Sequence, residues 1–341
     1  MIAILGGGVM GLSVARSLGL RGRRDVVVFD PREPASGSTA KAMGGFRLQH
    51  GSRINYELAR ASRPWFVERA EQVEFEPAGY LYVAETVAAE RELARRAGYQ
   101  REWGIPVESV DPAPLVPFLA GEDLLAANYC ALDGVYSPPK ILEAMRSEAL
   151  SAGADLRYGW GASAAELASA DAIVVAAGAW SWSVGASLGV RLDVRPLERA
   201  LWWYGPFEWL SGLQVPMTLE VGSGYHLRAR DGHLVVTGPG DQRDPSHFTE
   251  WLWRRVPRTR GCEPVQGWFG NYEMTFDHHA LLGATERDGV FACCGFSGHG
   301  VMQSPAAGEA LAALLSGETP AVDVAALSPL RTEPLVDRTQ L

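Results

Sequence analysis

The sequence is poor in lysine: of 31 basic residues only Lys41 and Lys140 are lysines, the rest being arginines, a bias of composition that says nothing of function. Positive charge is also in the minority, with 40 acidic residues and a net charge of -9. A nucleic-acid binder needs a basic face to meet phosphates, so that class is excluded. Cysteine is scarce, and Cys130, Cys262, Cys293 and Cys294 form no C-x-x-C pair. Adjacent cysteines rarely bridge and make poor paired ligands, so buried reduced thiols are expected rather than a disulfide framework. No apolar run reaches the ~18 residues of a membrane span. The N-terminal apolar run is broken by glycines and has no basic n-region, so a signal peptide is not expected and the expected location is cytoplasmic. No repeat or low-complexity segment is visible. The 341 residues, 47% of them hydrophobic, exceed the ~250–300 that one core usually serves, so two domains are expected. Disorder is expected only after Pro320.

The information is concentrated in the first forty residues. Ile2 to Leu5 is an apolar run of the length of a buried parallel strand. Gly6-Gly7-Gly8-Val9-Met10-Gly11 follows and fits G-x-G-x-x-G, then a helical segment from Leu12 to Leu20, then a second strand, Val26 to Phe29, ending at Asp30. Gly6 permits the tight turn, Gly8 lets the backbone approach a pyrophosphate, and Gly11 lets helix and strand pack closely. The helix N-terminus offers free N–H groups and a positive dipole end. Asp30 stands where an acid can hold ribose hydroxyls. Strand, glycines, helix, strand and acid in this order predict a dinucleotide-binding fold. The hydroxyl-rich loop Ser36 to Lys41 and Gly44-Gly45-Phe46-Arg47 replace the direct entry into a helix usual in NAD domains, and could line a longer cofactor.

Four stretches resemble the D-amino-acid-oxidase-like superfamily of FAD amine oxidoreductases, which includes monomeric sarcosine oxidase, glycine oxidase and dimethylglycine dehydrogenase. They are the N-terminal motif through Arg47; Asp133-Gly134-Val135-Tyr136-Ser137-Pro138; Ala172 to Trp182; and Tyr272 to Ala306, with Thr275-Phe276-Asp277-His278-His279 and Gly295-Phe296-Ser297-Gly298-His299-Gly300. The resemblance implies an α/β fold: a Rossmann-type FAD-binding domain with a second, mixed, mostly antiparallel β-sheet substrate domain. The FAD-binding domain is expected to be discontinuous, 1–48, 130–188 and 270–341, leaving 49–129 and 189–269 for the substrate domain. Cofactor contacts are expected from Gly6, Gly8, Val9, Met10 and Gly11 in the turn, and from Asp30, Pro31 and Arg32 after the second strand. In the loop they fall on Ser38, Thr39, Lys41, Ala42, Gly44, Gly45 and Arg47. Later in the chain they fall on Ala177, Gly178 and Trp180, then on Gly295, Gly298, His299, Gly300, Val301 and Met302. Ile173 to Ala176 and Phe291 to Cys294 read as further buried strands, and Pro305 as the first turn of a helix, Ala306 to Leu315, whose N-terminus would face the flavin. Tyr225 to Arg228, Asp231-Gly232 and Leu234 to Val236 read as a hairpin.

The implied chemistry is oxidation of a C–N bond by hydride transfer to flavin N5, with the cofactor carrying the hard step and no obligate base. Arg47 and His50 are candidates beside the flavin; His50 stands where relatives that take small amino acids have a carboxylate-binding arginine. Tyr225, with His226 and Arg228 on the opposite strand face, and Tyr272 are candidates for a substrate carboxylate. Met302 and Val235-Val236-Thr237 stand where sarcosine oxidases carry lysines, which implies a different substrate and weaker reaction with oxygen. Gly270 stands where some relatives attach FAD through cysteine, so FAD is expected to be non-covalent. The resemblance makes Asp277-His278-His279 a structural turn, and no metal is expected. A 2-hydroxy-acid dehydrogenase of the same fold, a flavin-bearing subunit or assembly factor without turnover, and a nicotinamide-only enzyme are the alternatives. The expected partners are a small amine or amino acid and an acceptor, O2 or another carrier, with the oligomeric state open.

Overall fold

The computed structural model describes residues 1–338. The first half of the chain runs β1 (Ile2–Leu5), α1 (Val9–Leu20), β2 (Val26–Asp30), β3 (Gly45–Phe46), α2 (Arg53–Glu68), α3 (Ala70–Val73), β4 (Tyr80–Ala84) and α4 (Val87–Glu102). Then come β5 (Glu108–Ser109), β6 (Ala126–Cys130), β7 (Gly134–Val135), α5 (Pro138–Ser151), β8 (Asp155–Tyr158), α6 (Ala164–Ala168), β9 (Ala172–Val175) and α7 (Ser181–Ser187). The second half adds β10 (Arg195–Tyr204), β11 (Met217–Glu220), β12 (His226–Arg230), β13 (His233–Thr237), α8 (Ser246–Arg255), β14 (Gln266–Met274), β15 (Leu281–Ala284), β16 (Val290–Cys294) and α9 (Gly300–Leu315).

These strands make two large sheets. One has six strands in the order β15-β16-β9-β1-β2-β8 and is parallel apart from the β15–β16 pair. Its centre, β1, is buried on both faces, which explains its unbroken apolar run. The other has eight strands in the order β14-β10-β13-β12-β11-β4-β6-β5 and is antiparallel except at β4–β11. This is the α/β architecture expected, with a mixed, mostly antiparallel second sheet. The hairpin forms where it was expected, β12 and β13 meeting through Asp231 and Gly232, both at positive φ (50° and 74°) as a tight two-residue turn demands.

Three readings need correction. Helix α1 starts at Val9, inside the glycine motif, with Gly8 as its N-cap. Helix α9 starts at Gly300, so Pro305 lies in its interior. The helix tolerates it because the groups a proline frees are satisfied locally: the Val301 carbonyl accepts from Ser304 Oγ at 2.9 Å, and Ala306 N–H donates to Ser62 Oγ at 3.1 Å. The described part of the segment after Pro320 packs on the protein, with Val322, Val324 and Leu327 buried in the main core. Arg331 forks onto Asp277 at 2.8 and 2.9 Å. Burial alone would raise that carboxyl; Arg331 and the N–H groups of Leu335 and His279 overcome it and hold it at about 2.

Cys130, Cys293 and Cys294 are buried free thiols, as expected, while Cys262 is only half-buried. Helices α1 and α9 pack against each other behind the six-stranded sheet, and Gly308 sets their separation: a Cβ there would overlap Ser13. Ser13 Oγ also donates to the Ser304 carbonyl at 2.6 Å. Gly308→Val is expected to destabilise the protein by ~2 kcal/mol or more through overpacking, despite a better helix former at the position. Urea unfolding checks this; an unchanged midpoint would contradict the packing described.

Candidate functional site

A cavity of about 580 Å³ runs from the carboxyl edge of the six-stranded sheet to one face of the eight-stranded sheet. One wall is the β1–α1 turn. Gly6, at φ 123°, lies so close to the end of β9 that a Cβ would overlap the Ala176 carbonyl, and a Cβ on Gly11 would overlap the Gly6 carbonyl. These two glycines are demanded by backbone meeting backbone. Gly8 differs: its φ is -78°, and a Cβ would meet nothing nearer than Thr39 Oγ1 at 3.5 Å. Nothing in the protein's own packing requires glycine there, and a Cβ would stand in the cavity. Asp30 braces the turn, Oδ2 accepting from Gly7 N–H at 2.9 Å and Oδ1 from Arg32 N–H at 3.0 Å.

The lining takes in most of the cofactor candidates. Gly6, Gly8, Val9 and Met10 come from the turn, and Asp30, Pro31 and Arg32 from the end of β2. Ser38, Thr39, Lys41 and Ala42 come from the loop, Ala177, Gly178 and Trp180 from the end of β9, and Gly298, Gly300 and Val301 from the start of α9. Gly11, Gly44, Gly45, Gly295 and Met302 are not lining residues. Gly44 is glycine because a Cβ would overlap the Arg228 guanidinium and the Tyr136 carbonyl; Gly45 meets Met217, and Gly295 meets Thr275. Met302 is buried.

Arg47, His50 and His299 come together but do not line the cavity. Arg47 is buried; its Nη1 donates to the Gln49 carbonyl at 3.0 Å and Tyr82 Oη at 3.3 Å, and its Nη2 reaches His299 Nε2 at 2.8 Å. Arginine can only donate, so His299 Nε2 accepts and the ring proton sits on Nδ1. Burial, then the charge of Arg47, holds His299 neutral, well below the ordinary imidazole range, and does the same to His50, whose ring meets His299 edge-on at 5.2 Å. Behind them Asp133 accepts from Leu48 N–H at 2.6 Å and Gln49 Nε2 at 3.0 Å, its carboxyl raised by burial to about 7.

The other wall is the eight-stranded sheet. Cross-strand register places Tyr82, Leu219, His226 and Thr237 in one row, and Thr237, Leu201, Arg199 and Tyr272 line the cavity. Tyr272 is 37% exposed, and the Arg199 guanidinium lies 5.8 Å from its ring centre. His226 is pushed down to about 4 by burial and then by Arg47. Arg228 instead donates to the carbonyls of Met43, Gly44 and Tyr136, clamping the sheet to the loop. Tyr225 lies elsewhere, stacked on Trp251 and bonded to His247 at 2.9 Å, so the structure does not bring it to the cavity.

The sequence reading missed Arg199, Asn271 and Glu273, all of which line the cavity. Alternation could have placed Arg199 on a strand face, but its neighbour Gly270 lies 71 positions along the chain and only the β10–β14 register pairs them. Alternation would also have separated Tyr272 from Glu273; both reach the cavity because β14 ends there.

A family model described as FAD dependent oxidoreductase matches residues 1–314. The chain belongs to this family. It is 27% identical to glycine oxidase of Geobacillus kaustophilus, over 97% of this chain and 96% of that protein. It is 26% identical to FAD-dependent oxidoreductase domain-containing protein 1 of Xenopus laevis, over 99% and 84%. The crystal structure of L-proline dehydrogenase from P. horikoshii shares the fold, with a TM-score of 0.87 at 23% identity over 97% and 96% of the two chains. The enzyme is thus an FAD-dependent oxidoreductase, and its residues fit the cofactor: an open Gly8, a helix N-terminus with no side-chain cap, and buried polar atoms without a hydrogen-bond partner among the described residues, His299 Nδ1 and Glu273 Oε2, beside or in the cavity. Gly8→Val is expected to leave the apoprotein's melting temperature within ~2 °C of wild type while weakening FAD binding at least ~100-fold, because the added methyls fill space needed by phosphate. Fluorescence titration of apoprotein with FAD checks it; normal affinity would show that phosphate does not pass Gly8.

Proposed function

We propose that this enzyme oxidises the C–N bond of an amino acid or an N-substituted, secondary amine, with FAD held non-covalently. The reading is carried by the electrostatics of the sheet face above the cavity. Its row holds Tyr82, Leu219, the neutral imidazole of His226 and Thr237, Arg47 and Arg199 stand at its two ends, and the acid that β14 adds to the lining, Glu273, has its carboxyl raised by burial to about 7.

FAD, when bound, supplies the hydride acceptor at its N5. An amine gives up hydride from the adjacent carbon only while its nitrogen is uncharged. The two guanidiniums disfavour an ammonium between them and so keep the free base. An alcohol would need a base for its O–H proton, and His226, down at about 4, is a poor one. Arg199 and the Tyr272 hydroxyl suit a carboxylate, fixing the substrate's other end. Among the described residues lining the cavity Lys41 is the one lysine, and it belongs to the loop, not the sheet, which fits an enzyme that passes electrons to a carrier more readily than to O2. No cysteine lines the cavity, which supports non-covalent FAD. Arg47 and His50 act from behind the wall, holding the His299 side chain at the start of α9.

The test is anaerobic mixing with a panel of primary, N-methylated and cyclic amino acids and 2-hydroxy acids, read as loss of absorbance near ~450 nm, where oxidised flavin absorbs. Amino acids are expected to bleach the flavin; bleaching by hydroxy acids alone would overturn the proposal. Arg199→Gln and Tyr272→Phe are expected to raise the concentration needed for half-maximal bleaching by about 10- to 100-fold, the worth of a charge-assisted hydrogen bond. Unchanged values would remove the carboxylate site from this end of the sheet.

A further inference from the structure

Glu273 has no part in the chemistry above, yet it is placed as a ligand. It lines the cavity at the end of β14. Its Oε1 accepts the Phe296 N–H at 3.2 Å, while Oε2 is buried with no hydrogen-bond partner among the described residues. A Cβ built on Gly178 would stand 4.0 Å from that oxygen. Gly178 follows Ala176 and Ala177, the residues against which Gly6 of the phosphate turn is packed. The unpartnered oxygen therefore faces the part of the cavity next to the turn, where the oxygen-rich middle of a dinucleotide passes.

Among the described residues no cation pairs with it. Arg199 on β10 and Lys41 in the loop line the same cavity and form no ion pair among the described residues. Asp30 faces the cavity from β2, with its carboxylate already taken by backbone N–H groups. Tyr272 is its neighbour on β14, and the Cys293 and Cys294 thiols of β16, pushed up by burial, lie near enough to feel its charge. Burial, against the N–H groups of Gly295 and Phe296, raises the carboxyl to about 7. A carboxylic acid can donate to a phosphate or ribityl oxygen, whereas a carboxylate would repel phosphate.

We infer that Glu273 is a cofactor-positioning residue whose protonated carboxyl donates a hydrogen bond to the ribityl–phosphate stretch of FAD, so that the enzyme holds its cofactor more tightly in acid than in base. The inference rests on FAD binding alone and not on which substrate is oxidised. The sign is set by the acid form: binding is full below the raised value and falls as pH climbs through it.

Apoprotein titrated with FAD from pH 6 to pH 8.5, by quenching of flavin fluorescence, is expected to show Kd rising about 10- to 30-fold, the loss of protonated carboxyl across that range. Glu273→Gln, which keeps a donor at the same place, is expected to bind FAD tightly with a flat profile. Glu273→Ala is expected to bind weakly at every pH, and melting of each apoprotein controls for folding. A flat wild-type profile, or a slope that survives in Glu273→Gln, overturns the inference.

Discussion

Two stretches of backbone meet with no side chain between them where β1 turns into α1. The carbonyl of Ala176 at the end of β9 lies where a Cβ of Gly6 would be, and the Gly6 carbonyl lies where a Cβ of Gly11 would be. This contact fixes how far the strand ends stand from the first turn of α1, and so the width of the cavity's narrow end. Beneath it, Gly308 repeats the same device between α1 and α9. Because α9 begins at Gly300, the cavity wall at its N-terminus inherits its position from that packing. A buried interior relaxes little around an added atom, so these positions tolerate glycine and nothing larger.

The second sheet is attached by polar contacts as well as by the apolar packing of Met43 and Val135 against it. Arg228 Nη1 reaches three backbone carbonyls across the junction, and burial, with the nearby charge of Arg230, lowers it to about 10. Asp133 holds Leu48 N–H and Gln49. Each bond is to backbone or to a side chain that itself bonds backbone, as with Gln49 and the Tyr80 carbonyl at 3.1 Å. Such networks are costly when half-satisfied and rigid when complete. They hold the sheet face at a fixed height above the cavity.

That rigidity shapes the site's charge. Burial first, and then the field of the buried Arg47 guanidinium, keeps His50, His226 and His299 neutral. The result is a cationic but weakly basic surrounding. Family membership agrees with the phosphate turn; the choice among substrates falls to the sheet face, where fold alone is silent.

The sequence by itself determined the dinucleotide half and the family. The glycine spacing, the strand lengths, Asp30 and the Asp231-Gly232 turn are local signals, because turn geometry and strand burial depend on neighbours in the chain. It also brought Arg47, His50 and Tyr272 forward, through resemblance. It misread what depends on distant partners. Pro305 reads as a helix start until Ser62, from α2, is seen to satisfy the helix around it. Tyr225 and Arg228 read as binding residues until Trp251 and the 43–44 loop are seen to occupy them. Arg199 and Glu273 were legible only once β10 and β14 were paired and the strand ends converged. Register and burial are sums over residues far apart in sequence, and only the tertiary structure decides them.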